Sequence, residues 1–267
     1  MKILLDILLC LMTPIFLIIV ISIYIIYESS RKVTIKKEIT EIPNNEFENE
    51  NVTDIIFEDS KIRRIGAYAF KNCKNLRNFT CIEHLDLTED EYYRKYFFEG
   101  LFKDDDEIID PNTEKCYNCL PKPVKEIEEE AFVNCKSIEE INLPSSITVI
   151  GESAFLGCRK LKKCSLPENI NILSDYLFAG CKSLEKIYIP DLVSTICSYA
   201  FKDCKSLIKI SIPREITEIN EYVFVNCKKL SLVKYRGTKE DWKKVTIYDT
   251  SFDRNITIQC KDGDIII

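Results

Sequence analysis

The chain has 267 residues, a formal net charge of −6, 30% charged residues and 46% hydrophobic residues. That composition is globular, sized for one or two domains or one elongated repeat array, and its bulk charge offers nothing to nucleic acid. One histidine (His84) and seven glycines, with no GxGxxG or P-loop pattern, exclude multi-histidine metal sites and nucleotide loops and leave His84 as the only base for Ser-His-Asp or Cys-His catalysis.

Residues 3–27, ILLDILLCLMTPIFLIIVISIYIIY, are almost wholly apolar. About 20 helical residues cross the hydrocarbon core, so residues 1–30 read as a transmembrane anchor. Pro14 is tolerated in such a helix. A signal peptide is the rival: Lys2 supplies a minimal n-region, but the apolar stretch is long and no A-x-A site follows. Cys10 follows Leu9, where a lipoprotein site would have a small residue. Beyond the span lie Arg31, Lys32, Lys36 and Lys37, which the positive-inside rule would keep in the cytoplasm.

From residue 36 onward one unit recurs. With the phenylalanine of each AFxxC motif as position zero, Phe132, Phe155, Phe178, Phe201 and Phe224 are spaced 23 apart. Cysteine always follows at plus three: Cys135, Cys158, Cys181, Cys204 and Cys227. Apolar residues recur at fixed offsets on both sides, as in Ile147 and Ile150 before Phe155, and Ile138, Ile141 and Leu143 after Phe132. A fixed period above about 20 residues marks a stacked-repeat architecture. The LxxIxIP segment alternates as a short strand ended by Pro144, Pro167, Pro190 or Pro213. ITxI reads as a second extended piece, and ESAFLGC between them as one helical turn. Acids three before the phenylalanine (Glu129, Glu152, Asp175, Glu221) and bases after the cysteine (Lys136, Arg159, Lys182, Lys205, Lys228) would suit the dipole of that turn.

Upstream, Phe70 and Cys73 keep the register, and Phe47 marks a degenerate capping repeat with Glu50 in the cysteine position. These first repeats cover 36–81. Phe70 and Phe132 are 62 residues apart, one period plus an insertion of 39. The insertion, 82–122, carries a helical stretch from Thr88 and Glu91 through Tyr92, Tyr93, Tyr96, Phe97, Leu101 and Phe102, expected to pack over the flank of the stack or to present an aromatic patch to a partner. Regular repeats fill 123–236. After Phe224 the pattern fails. A C-terminal cap, 237–267, opens with a capping box at Thr238 and Asp241, contains Trp242, and ends in a hairpin turning at Lys261-Asp262-Gly263.

The unit ITxIxxxAFxxCxxLxxIxIP, in five good copies and one partial one, resembles the BspA-like leucine-rich repeat proteins. The tail KYRGTKEDWKKV and the interruption YFFEGLF are also similar to that family. The resemblance implies a leucine-rich-repeat solenoid with a parallel sheet on one face. It further implies surface proteins that bind host or extracellular proteins, often as adhesins, with no enzymatic activity. No cofactor, nucleic acid or small-molecule substrate is expected.

The row of cysteines is either a disulfide or metal ladder or a repeated small hydrophobe beside the phenylalanines. Thirteen cysteines cannot all pair within one chain. Cys116 and Cys119, in CYNC, lie off the register; a local disulfide, a redox pair, half a zinc site completed by Cys81 and His84, and idle thiols all stay open. Partners of solenoids bind extended sheet surfaces. The outward strand positions include Lys163, Lys186, Tyr188, Lys209 and Lys234, either a basic stripe for an anionic protein or glycan, or a solvated face kept soluble by lysine. Asn51, Asn78 and Asn255 open N-x-T sequons that would carry glycans in a eukaryotic secretory pathway. The leading function is a membrane-anchored, cell-surface, protein-binding repeat protein. A scaffold facing the cytoplasm is the alternative, and a thiol oxidoreductase using Cys116 and Cys119 is the remote one.

Overall fold

Two short stretches of every unit are extended, and each pairs with its copy one unit away. The computed structural model describes residues 26–27, 31–84, 113–248, 250–252 and 256–266. In the first row, Lys32–Ile35, Asp54–Glu58 and Asn78–His84 pair in parallel. Glu140–Asn142 pairs with Lys163–Ser165. Lys186–Tyr188, Lys209–Ile212, Leu232–Tyr235 and Thr257–Cys260 then pair in succession. The second row consists of two-residue strands. Glu41–Ile42, Arg64–Ile65, Glu126–Ile127 and Val149–Ile150 form one sheet; Ile172–Leu173, Thr195–Ile196, Glu218–Ile219 and Thr246–Ile247 form another. Between them the rows build a parallel-sheet solenoid of about eight turns.

The third side differs from the sequence expectation. Residues around each phenylalanine do not form a helical turn. Two positions per unit, two before and two after the phenylalanine, have positive φ: Glu130 (52°) and Asn134 (58°) flank Phe132, and Tyr199 (60°) and Asp203 (60°) flank Phe201. This alternation aims every second N–H along the solenoid axis. Glu130, Phe132 and Asn134 donate to the carbonyls of Glu152, Ala154 and Leu156 at 2.9, 2.9 and 2.7 Å. The intervening N–H groups turn back within the unit, Val133 to Glu130 and Cys135 to Phe132, both at 3.1 Å. A helical turn would spend its carbonyls internally; here half of them form a third ladder between turns. No helix dipole exists for the acid and base rows to complement.

The core is one column of rings. Phe47, Phe70, Phe132, Phe155, Phe178, Phe201, Phe224 and Phe252 stack face to face, with centroids 5.0 to 5.7 Å apart. Phe70 and Phe132 are direct neighbours at 5.2 Å, so the long insertion leaves the stack unbroken. Phe252 extends the column past the point where the sequence pattern fails. The five extra residues separating it from Phe224 take up the helix Lys239–Trp242, whose capping box at Thr238 and Asp241 is formed.

Both ends are closed by antiparallel strands. Thr257–Cys260 turns back into Gly263–Ile266, with Gly263 at φ 121°. Ile26–Tyr27 pairs antiparallel with Lys32–Ile35 and covers that sheet edge. The expected span over 3–27 therefore gives up its last two residues to a strand. The rest of it lies outside the described residues. Among the described residues no helix is long and apolar enough to cross a membrane.

Candidate functional site

The strand face that alternation turns away from the phenylalanine column carries the candidate binding residues. Ile187 and Ile210 point inward and are buried, while Lys186, Tyr188 and Lys163 are exposed and Lys209 is half-buried. Parallel register aligns the copies: Lys186 lies beside Lys209, and Tyr188 beside Ser211, which lies beside Lys234. Like charges in directly facing strand positions repel. None of Lys163, Lys186, Lys209 and Lys234 forms an ion pair among the described residues. The adjacent column shows the contrast, since Lys162 pairs with Glu139 at 2.7 Å and holds that carboxyl below its usual range.

This face is not flat. Lys163–Ser165 pairs only with Glu140–Asn142, and Lys186–Tyr188 only with Lys209–Ile212, so the ladder stops between them. A shallow depression opens there, lined by Lys163, Cys164, Lys186, Ile187, Tyr188, Lys209 and Ser211. Cys164 occupies the inward position that holds isoleucine in the flanking copies, and the smaller side chain helps deepen it. Arg236, which stands where Pro144, Pro167, Pro190 and Pro213 close the preceding units, belongs to this surface. Its guanidinium lies 4.2 Å from the Tyr188 ring centroid and donates to Ser211 Oγ at 3.0 Å, the Ile189 carbonyl at 2.6 Å and Asp191 Oδ1 at 2.7 Å. It pins one ring face of Tyr188 and fixes the aromatic at the centre of the lysines.

A family profile described as "BspA type Leucine rich repeat region" matches residues 18–100 and 116–255 in six copies. The chain belongs to the BspA-type leucine-rich-repeat family. A leucine-rich cell surface protein from Faecalibacterium prausnitzii is similar in structure, with a TM-score of 0.50 and 24% identity over 80% of this chain and 62% of its own. A leucine-rich repeat protein from Bacteroides ovatus is 20% identical over 85% of this chain and 65% of its own, with a TM-score of 0.44. The chain thus spans a little under two thirds of each of these proteins. No curated protein matches it in sequence.

The cysteine row of this BspA-type solenoid is neither a disulfide nor a metal ladder. Cys73, Cys135, Cys158, Cys181, Cys204 and Cys227 are not disulfide-bonded and are almost fully buried. Each donates its S–H to the carbonyl of the phenylalanine one unit back, as Cys158 does to Phe132 at 3.2 Å and Cys227 to Phe201 at 3.0 Å. That hydrogen bond was not foreseen. It explains why the unit repeats cysteine rather than valine or alanine, since a small apolar filler with a weak donor satisfies a buried lone pair. Glu50 stands at this position in the first unit, where no earlier phenylalanine carbonyl lies behind it among the described residues. Burial pushes Cys73 and Cys158 up to about 12 and Cys135, Cys181 and Cys204 well above an ordinary thiol, so none is a nucleophile near neutral pH.

A second column also escaped sequence reading. Tyr176, Tyr199 and Tyr222 stack at 4.7 and 5.0 Å on the flank of the solenoid, each at a positive-φ position. Of the remaining candidates, Cys119 is buried, disulfide-bonded and bridged to Asn142. The side chains of Cys116 and His84 lie outside the described residues, and no metal-holding cluster occurs among those described. Asn51 is exposed; Asn78 is exposed and donates to Asp54 Oδ1 at 2.7 Å. Asn255 and the aromatic insertion helix lie outside the described residues.

Proposed function

We propose that this solenoid is a protein-binding module whose recognition surface is the strand face around Lys163, Lys186, Tyr188, Lys209 and Lys234. Leucine-rich-repeat solenoids generally bind proteins on extended sheet surfaces. The observation that carries the choice of face is Lys186 directly facing Lys209, with Lys163 (which faces Glu140) and Lys234 on the same face and none of the four in an ion pair among the described residues, a set that an acidic protein surface would complement. Tyr188, held by Arg236, supplies a pre-ordered aromatic anchor. The apolar segment 3–25 would tether the module to a membrane, and display at the cell surface is the preferred side. Support for that side is the similar F. prausnitzii protein, itself described as a cell surface protein. Capture of extracellular proteins on the immobilised full chain tests the binding role. Captured proteins should be lost when Lys163, Lys186 and Lys209 are changed to glutamate; capture that is unchanged by the triple change excludes this face.

A second reading, a scaffold facing the cytoplasm, is favoured by Arg31, Lys32, Lys36 and Lys37 just beyond the apolar segment. Protease treatment of intact cells separates the two. Cleavage of the solenoid supports display outside, and full protection supports the cytoplasmic scaffold. The thiol oxidoreductase reading requires exchange activity with a substrate disulfide that Cys116→Ser abolishes.

A further inference from the structure

Both strand rows stop pairing between the same two turns. In the first row Lys163–Ser165 does not pair with Lys186–Tyr188, and in the second Val149–Ile150 does not pair with Ile172–Leu173. The backbone bonds that flank these strands in other turns are missing as well. Lys162 N–H donates to the Glu139 carbonyl at 2.8 Å and Ile208 N–H to the Glu185 carbonyl at 2.9 Å, but Glu185 N–H does not reach Lys162. Leu143 N–H donates to Ser165 at 3.1 Å and Ile189 N–H to Ser211 at 3.0 Å, but Leu166 N–H does not reach Tyr188. The second row keeps one side-chain tie, from Ser174 Oγ to the Ile150 carbonyl at 2.5 Å; the first row has none among the described residues. The turn side stays closed. Ser153, Phe155 and Gly157 donate to Asp175, Leu177 and Ala179 at 2.9, 3.1 and 2.7 Å, and Phe155 stacks on Phe178 at 5.6 Å. The two turns are therefore joined along the ring column and open toward the lysine face, as a hinged cleft is.

We propose that this cleft is a socket for one large apolar side chain, carried on an acidic segment of the partner protein. The inference rests on the strand face being the binding surface and adds what enters it. The depression at the cleft has a volume of about 370 Å³, at the small end of ligand sites. Its chemistry is layered. Cys164 and Ile187, at inward strand positions, make an apolar floor. Tyr188, held on one ring face by Arg236, makes an aromatic wall. Lys163, Lys186 and Lys209, at outward positions, make a cationic rim. An apolar group suits the floor and carboxylates beside it suit the rim, so the two features call for one amphipathic segment. The floor is unfinished at a single residue. Ile141 and Ile210 hold the same strand position in neighbouring turns and are fully buried, whereas Cys164 is only half-buried. A shorter side chain at the mouth of an open ladder leaves apolar surface that an incoming side chain would cover.

Calorimetric titration of the full chain with two capped pentapeptides tests this: four glutamates around a central phenylalanine, and the same with a central alanine. The phenylalanine peptide is expected to bind about tenfold tighter, the return on burying part of one aromatic side chain. Cys164→Ile, which restores the residue of the neighbouring turns, is expected to abolish that difference while both peptides keep the weaker affinity set by the lysines. Equal affinities of the two peptides for the parent chain, or a difference that survives Cys164→Ile, overturn the socket and leave the lysine face standing. Binding that is unchanged by Lys163→Glu/Lys186→Glu/Lys209→Glu, or no binding of either peptide, overturns the face and the socket together. Hydrogen exchange on the unsubstituted chain keeps the test decisive should Cys164→Ile not fold. The Leu166 and Glu185 amides are expected to exchange faster than those of Leu143 and Ile208, and to be slowed by the phenylalanine peptide alone. Exchange at Leu166 and Glu185 that neither peptide slows, or that both slow equally, overturns the socket.

Discussion

Cys158 donates its thiol hydrogen to the carbonyl of Phe132, 26 residues earlier and one turn back, at 3.2 Å. The same carbonyl also accepts the Cys135 N–H of its own turn at 3.1 Å. Both of its lone pairs are thus engaged, one by the turn and one by the stack. The contact repeats at Cys73, Cys135, Cys181, Cys204 and Cys227. Cys158→Ala removes the donor and leaves a small void, and is expected to lower unfolding free energy by about 1–3 kcal/mol in urea denaturation. An unchanged midpoint would show that the thiol is passive filler.

Burial raises the row of thiols, and the sign of its pH effect follows. Folded Cys158 stays neutral to about pH 12, whereas the unfolded chain releases that proton near pH 9. The stabilisation is complete below pH 9 and is lost as the pH rises from 9 toward 12, by about 1.4 kcal/mol per pH unit for each such thiol. Urea midpoints should be flat from pH 7 to 8.5 and fall steeply above 9. The native protein should also leave these six thiols unreacted with a disulfide reagent at pH 8.

Phe178 lies between Phe155 at 5.6 Å and Phe201 at 5.7 Å, whereas among the described residues Phe252 stacks on Phe224 alone. Nearest-neighbour coupling in a solenoid makes a central loss larger than a terminal one. Phe178→Ala is expected to cost about 3–5 kcal/mol, and Phe252→Ala, which is only half-buried, distinctly less. Hydrogen exchange should localise the second defect to the C-terminal turns.

Asn134 occupies a left-handed position at φ 58°, and its Nδ2 donates to Asn72 Oδ1 at 3.1 Å. Its own Oδ1 sits 2.5 Å from where a Cβ on Gly157 would lie, so the asparagine column ends at a glycine that makes room for it. Asn134→Gly loses only the side-chain bond, while Asn134→Ala adds the backbone strain of about 1–2 kcal/mol. The alanine variant should therefore melt below the glycine variant.

Much of this was legible in the repeat. A 23-residue period with apolar residues at constant offsets places both strand rows and the ring column, because a unit that cannot bury its apolar face alone must bury it on its neighbour. The turn segment was misread because acid and base rows imitate helix-dipole chemistry. The corrective signal lay at offset plus two, where Asn49, Asn72, Asn134, Gly157, Gly180, Asp203 and Asn226 are all residue types that accept positive φ. Offset minus two gave no such hint, since Tyr176, Tyr199 and Tyr222 are held there by the ladder and their own stacking against local preference. Phe252 was hidden because 28 residues, not 23, separate it from Phe224. Arg236 reaches Tyr188 across two turns, and periodicity reports only neighbours at equal offset.

The lysine face carries the proposed function, and direct titration addresses it. Poly-L-glutamate serves as a model acidic polypeptide, added to the full chain at low salt. Lys163→Glu/Lys186→Glu/Lys209→Glu should lose binding by at least about tenfold, a modest loss for three reversed contacts on a partly solvated face. Lys136→Glu/Lys182→Glu/Lys228→Glu, with the same charge change along the turn segment, should bind nearly as the parent does. Equal losses in the two triple variants would show attraction to net charge alone and would contradict a recognition surface on the strands.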